Sequence, residues 1–132
     1  MSKKVVIGCV CLVVAVILYF GGKYLYDTAK YKKIISDIVI KTPDSSLIDD
    51  GIYNGTFDAI LISADVDVTV KDHKITNIKI NNHKNDRGAS AEVITDEVIA
   101  NQSLEVDTIS GATNSSKVIL KTIEIALENG EK

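Results

Sequence analysis

The stretch DVDVTVKDHKITNIKI, residues 65–80, decides the fold because it encodes two strands and the turn between them. The valines of residues 66–70 alternate with polar residues, and this period of two predicts a half-buried antiparallel strand. Asp72-His73 predicts a two-residue turn, since Asp and His are among the few residues that tolerate positive φ. We expect His73 to serve the turn alone. A second strand is predicted over residues 74–82.

The flanking segments complete the domain. Alternation from Tyr53 to Leu61 predicts an earlier strand, with Tyr53 and Phe57 packing toward the core. After Gly88 the apolar period becomes helical, and a last helix begins between Thr113 and Ser115 and ends before Asn129-Gly130. The apolar faces of these two helices are Ala91, Val93, Ile94, Val98 and Ile99, and then Val118, Ile119, Ile123, Ala126 and Leu127. The predicted class is α+β, with an antiparallel sheet of about three strands covered by two helices.

The amino-terminal segment is apolar and bracketed by Lys4 and Lys23. Its uncharged run predicts one transmembrane helix, so residues 1–26 are interpreted as a membrane anchor. A cleaved signal peptide is an alternative, but no small-x-small site closes the run. A lipoprotein signal is another, but only three apolar residues precede Cys9. Residues 27–46 are interpreted as a stalk or linker, helical as far as Pro43, and residues 47–132 as the domain.

Cysteine and charge exclude several classes of function. Cys9 and Cys11 both lie inside the anchor, two residues apart on a helix, so they suggest neither a disulfide nor a metal site. Residues 51–132 hold eight basic and thirteen acidic residues, a net charge of minus five. A nucleic-acid surface needs the opposite balance, so no nucleic-acid partner is expected.

The stretch DTISGATNSSKVIL, residues 107–120, has more hydroxyl groups than one helix cap requires. A glycine-containing turn that leads into a helix directs backbone N–H groups at one spot, which predicts an anion site suited to phosphate. The alternative is a generously capped helix. The candidate phosphate-site residues are Ser110, Gly111, Ala112, Thr113, Ser115, Ser116 and Lys117, with hydroxyl donors, small residues for access, and one positive charge.

The heptapeptide Asp107–Thr113 resembles the flavinylation signal of the FMN-binding domain family: Asp, two variable residues, Ser or Thr, then Gly-Ala-Thr. Residues 50–55, 70–75 and 102–107 resemble the family's opening strand, its hairpin and the lead-in to the signal. The resemblance covers roughly residues 47–130. It departs at His73, where the family usually has Gly, and at Arg87-Gly88-Ala89, which replaces a Thr-Pro-Gly-like step. The family includes the flavin subunits of sodium-translocating NADH:quinone reductase.

The resemblance implies a covalent cofactor. In the family the final Thr of the signal, here Thr113, accepts FMN through a phosphoester, placed by a Mg-dependent transferase that uses FAD as donor. Activation by that enzyme agrees with the lack of a nearby base in the sequence. Asp107 would serve recognition or hold the turn. His83 is a candidate contact of the flavin ring, and the alternative is an exposed histidine at a strand end.

These observations predict a membrane-anchored flavoprotein that relays electrons between a membrane donor and an acceptor outside the cell membrane. The short amino-terminal tail and the location of the family's transferase place the domain on the extracytoplasmic side of a single-pass protein. A stand-alone enzyme is not expected. The alternatives are a non-enzymatic surface module that binds FMN non-covalently or senses a ligand, and a subunit of a larger redox complex.

Overall fold

The computed structural model describes residues 2–85 and 88–131. It has a long amino-terminal helix, three strands and two further helices, so the predicted α+β class is confirmed. The helices are α1 (Lys3–Asp37), α2 (Ile94–Asn101) and α3 (Thr113–Gly130), and the strands are β1 (Gly51–Asp58), β2 (Ser63–Lys71) and β3 (Lys74–Lys84). Short 3₁₀ helices cover Ser45–Leu47 and Ala89–Val93. Arg87, one of the departures from the family pattern, lies outside the described residues.

The strands form one antiparallel sheet in the order β1-β2-β3. The central strand β2 buries every second side chain, and Val66 and Val68 are completely inaccessible. Asp72 and His73 have φ values of 51° and 60°, which confirms the predicted turn. The expectation that His73 serves the turn alone is wrong, because its Nδ1 atom lies 3.0 Å from the Ile48 carbonyl oxygen. His73 therefore also ties the turn to the segment before β1.

The first strand ends three residues earlier than the alternation predicts. It stops at Asp58, whose carboxylate accepts a hydrogen bond from the Ile60 N–H at 2.7 Å. Ile60 has a φ of 75°, and the Ala59 N–H donates to the Ile62 carbonyl at 2.8 Å. The apolar residues that look like a continuing strand therefore form a tight connection to β2, because local hydrogen bonds reverse the chain.

Helix α3 lies across β1 and β2 and supplies much of the core. Its five predicted apolar residues are all buried, which confirms the predicted face. The closest approach is at Gly55, where an added Cβ would lie 2.3 Å from the Thr122 carbonyl oxygen. Helix and strand thus meet backbone to backbone at this position. The helix continues through Gly130, slightly beyond the predicted end.

The segment before α3 differs from its prediction in one residue of the buried face. Ala91, Ile94 and Val98 are fully buried, but Val93 is 56% exposed. The reason is that Ala89–Val93 is a 3₁₀ helix with about three residues per turn, so the 3.6-residue period does not apply there. After α2, the Gln102 side chain forms two 2.8 Å hydrogen bonds with the backbone of Ile75. This pairing covers the start of the edge strand β3.

Helix α1 is the one described helix that is long and apolar enough to cross a membrane, although a signal sequence has the same properties. Its most apolar window has a mean hydropathy of 2.7 and is not buried in the protein. The helix ends at Asp37, before Pro43. Its carboxyl-terminal part packs on the domain, because Ile35 is only 6% exposed and Tyr31 and Ile34 also pack against the core, as does Ile38 just after the helix.

Candidate functional site

A sharp turn brings the chain into α3. Gly111 has a φ of 79°, a left-handed conformation that glycine adopts without a Cβ penalty. The Ala112 N–H donates to the Ile109 carbonyl at 2.9 Å, which closes the turn. Among the described residues, no atom outside the chain neighbours lies within 4 Å of the place that a Cβ on Gly111 would occupy. The backbone before α3 is therefore open on the side of Gly111.

Ser116 holds this turn together. It is fully buried, and its hydroxyl accepts a hydrogen bond from the Ile109 N–H at 3.0 Å while donating to the Ala112 carbonyl at 2.8 Å. The sequence pattern predicts that this hydroxyl donates a hydrogen bond to a phosphate. In the structure it bonds to the protein backbone in both directions, so its observed role is to fix the turn.

Ser115 points to the end of β3. Its Oγ atom lies 3.2 Å from His83 Nε2, and His83 Nδ1 lies 3.2 Å from a carboxylate oxygen of Glu92. The His83 side chain is only 1% exposed, so the alternative of an exposed histidine is wrong. Gly88 makes room for this arrangement, since a Cβ there would lie 1.9 Å from Ser115 Oγ. The chain Glu92–His83–Ser115 joins β3 and the following 3₁₀ helix to the first turn of α3.

Thr113 is the first residue of α3 and is exposed. Within the described part of the chain, its hydroxyl makes no hydrogen bond and no side chain caps the helix. The capped-helix alternative expected such a cap. The first N–H groups of a helix lack intrahelical partners and carry a partial positive charge. The start of α3 is therefore suited to an anionic group.

A cleft of about 410 Å³ opens at this helix end. Thr113 and its neighbours form one part of the wall, while Tyr31 of α1 and Ile62 of the β1–β2 connection form another. The lining residues are Tyr31, Ile62, Gly88, Gly111, Ala112, Thr113, Asn114 and Ser115. Four predicted site residues thus meet here. Tyr31, Ile62 and Gly88 were not predicted as site residues, because chain positions far apart carry no common pattern. Asn114 was not predicted either, although it directly follows Thr113.

The other predicted site residues lie elsewhere. Asp107 and Ser110 line a second cleft of about 520 Å³, together with Glu97, Asn101 and Glu105. Lys117 is half-exposed, and neither it nor His83 lines the first cleft. The heptapeptide therefore divides between two surfaces: its last three residues face the first cleft, and its first four face the second.

Comparison with known proteins identified a family. The model of the FMN-binding domain family matches residues 63–128, which is half of the chain and extends from the start of β2 almost to the end of α3. No curated protein matched, and neither did any solved structure.

Proposed function

Since this chain belongs to the FMN-binding domain family, we propose that it is a membrane-anchored flavoprotein that carries FMN through a phosphoester on Thr113. The family and the apolar helix α1 together fit a membrane-anchored FMN-binding protein. The covalent link, the electron relay and the orientation in the membrane are the proposal.

The observation that carries the proposal is the state of Thr113. Thr113 is exposed, and within the described part of the chain its hydroxyl makes no hydrogen bond and no side chain caps the helix, so it contributes little to the fold. Its hydroxyl is accessible to a modifying enzyme, and a phosphate attached to it would lie beside the N–H groups of the first turn of α3. The position of this hydroxyl beside the N–H groups at the start of α3 supports the proposal that Thr113 is the acceptor.

The neighbouring residues fit FMN. The cleft lies within the size range of about 300–1,000 Å³ that is typical of small-molecule sites. Its polar part, at Thr113, Asn114 and Ser115, suits a phosphate, and its apolar part, at Tyr31 and Ile62, suits a flat aromatic ring. Bound FMN would supply reversible electron transfer, while the protein supplies placement and surroundings.

The resemblance to the flavinylation signal implies attachment by a second protein, and the contacts around Thr113 agree with it. The side chain of His83 contacts Ser115, and within the described residues no hydrogen bond joins it to Thr113. An FAD-dependent FMN transferase is therefore the proposed partner. In that reaction the Thr113 oxygen bonds to the FMN phosphorus, the diphosphate bond of FAD breaks, AMP leaves, and the hydroxyl proton passes to the transferase.

We further propose that the lipid bilayer holds α1 and that the chain, with FMN bound, would relay electrons between a membrane donor and an extracytoplasmic acceptor. The chain would then act as a carrier or a subunit of a redox complex. The length of α1 and its exposed apolar surface support attachment to the membrane.

The test is mass spectrometry of the full chain co-expressed with an FMN transferase. We expect a peptide containing Thr113 to carry FMN less one water, and flavin fluorescence to remain on the denatured protein. Thr113→Ala should abolish this label and change stability by less than about 0.5 kcal/mol, as expected for an exposed residue whose hydroxyl has no hydrogen-bond partner among the described residues.

Thr108→Ala is the matched control, because Thr108 is an exposed threonine at a variable position of the same motif. It should keep the label. Full in-gel fluorescence in Thr113→Ala, or a flavin mapped to Ser110, would contradict the assignment. Colour that is lost on denaturation would instead support the non-covalent alternative.

A further inference from the structure

The last third of α1 has one face turned toward the domain. Tyr31, Ile34 and Ile35 follow helical spacing and pack against the core, while Lys30, Lys32 and Lys33 remain exposed. The anchor helix is therefore joined to the domain by side-chain packing as well as by the chain itself.

Tyr31 stands out on this face because it also lines the cleft at Thr113. Its ring is half-exposed, and its hydroxyl makes no hydrogen bond within the described residues. Tyr53 provides a contrast, since its hydroxyl donates to the Asp49 carbonyl at 2.7 Å. A tyrosine in a cleft wall offers a flat apolar face with one polar tip, which suits contact with an aromatic ligand.

The cleft, like FMN, has a polar part and an apolar part. Its polar part is at the start of α3, and the aromatic ring of Tyr31 belongs to its apolar part. With the phosphate attached to Thr113, the isoalloxazine ring would extend away from the start of α3 and would need an apolar wall of the cleft to pack against. We propose that Tyr31 is that wall, so that α1 completes the flavin site and positions the ring. This inference rests on the proposed function.

The position of Tyr31 along α1 would set the distance between the flavin ring and the membrane, which matters for electron transfer. Tyr31 follows Lys23 by eight residues, which is about 12 Å along the axis of a helix. Helix α1 is continuous over this interval. The flavin ring would thus be held at a fixed height close to the membrane surface, within reach of a donor in the bilayer.

The test uses the full chain in detergent micelles, co-expressed with an FMN transferase, with the variants Tyr31→Phe and Tyr31→Leu. Tyrosine in contact with a flavin quenches its fluorescence by excited-state electron transfer, and phenylalanine does not. We expect Tyr31→Phe to raise native flavin emission severalfold at an unchanged melting temperature. Tyr31→Leu should also raise native flavin emission. It should alter the visible circular dichroism of the flavin as well, because the ring loses the flat aromatic surface of Tyr31.

Tyr26→Phe is the control, because Tyr26 lies on the same helix but is 66% exposed. The native flavin emission of Tyr26→Phe should equal that of the parent chain. In-gel fluorescence after denaturation reports the covalent label separately. If no variant and no parent chain is labelled, the proposed function fails and this inference fails with it. If all are labelled and their native emission is the same, the Tyr31 contact alone is overturned.

Discussion

The close contact between Gly55 and α3 gives the sharpest stability prediction. A Cβ at residue 55 would lie 2.3 Å from the Thr122 carbonyl oxygen and 2.6 Å from the Ala126 nitrogen. Ordinary van der Waals contact begins at about 3.4 Å, so Gly55→Ala is too close by about 1.1 Å. Both obstructing atoms belong to the backbone, so a side-chain rotation cannot relieve the overlap. The helix must move away from β1.

Overpacking of a core typically costs about 1–3 kcal/mol, and an immovable backbone places Gly55→Ala at the upper end or beyond. For a domain of this size, about 3 kcal/mol corresponds to a fall in melting temperature of roughly 12–24 °C. The assay is thermal unfolding by circular dichroism in detergent micelles, where α1 adds a constant helical signal.

Gly51→Ala is the matched control in the same strand. Its added Cβ would meet only the far end of the Tyr53 side chain, at 3.2 Å, and that ring can shift. We expect a change of less than about 1 kcal/mol. If Gly55→Ala and Gly51→Ala melt within about 4 °C of each other, the backbone contact between α3 and β1 is wrong.

Three further predictions concern the turn, the linker and the topology. Ser116→Ala should reduce the free energy of unfolding by about 1–3 kcal/mol, because the Ile109 N–H loses its partner; urea denaturation showing no loss would refute this role. Hydrogen bonds from the Ser46 hydroxyl and backbone N–H lower the pKa of Asp44. The stability that these bonds add is therefore present above the ordinary pKa of an aspartate, and it is lost as the pH falls through the lowered pKa of Asp44. NMR titration should show that Ser46→Ala raises this pKa; an unchanged value would contradict the assignment. Protease added to intact cells should remove residues 47–132, and digestion in broken cells alone would reverse the proposed orientation.

Short-range patterns of the sequence determined the class of fold. The alternation in β2, the Asp72-His73 turn and the apolar run of α1 each depend on residues a few positions apart, and each survives in the structure. Hydrophobic periodicity and turn chemistry act locally, so they can be read without knowing what packs against them. The same holds for the glycine turn before α3.

Only the tertiary structure decided how the site is divided. Ser116 turns inward, and Ser115 contacts His83, which is 32 positions earlier in the sequence. Tyr31 joins Thr113 in one cleft because α1 packs on the domain. These contacts depend on which faces of distant elements pack together. No sequence spacing predicts such packing. The motif marked Thr113 as the proposed acceptor, but the packing of α1, the β1–β2 connection and α3 shaped the cleft around it.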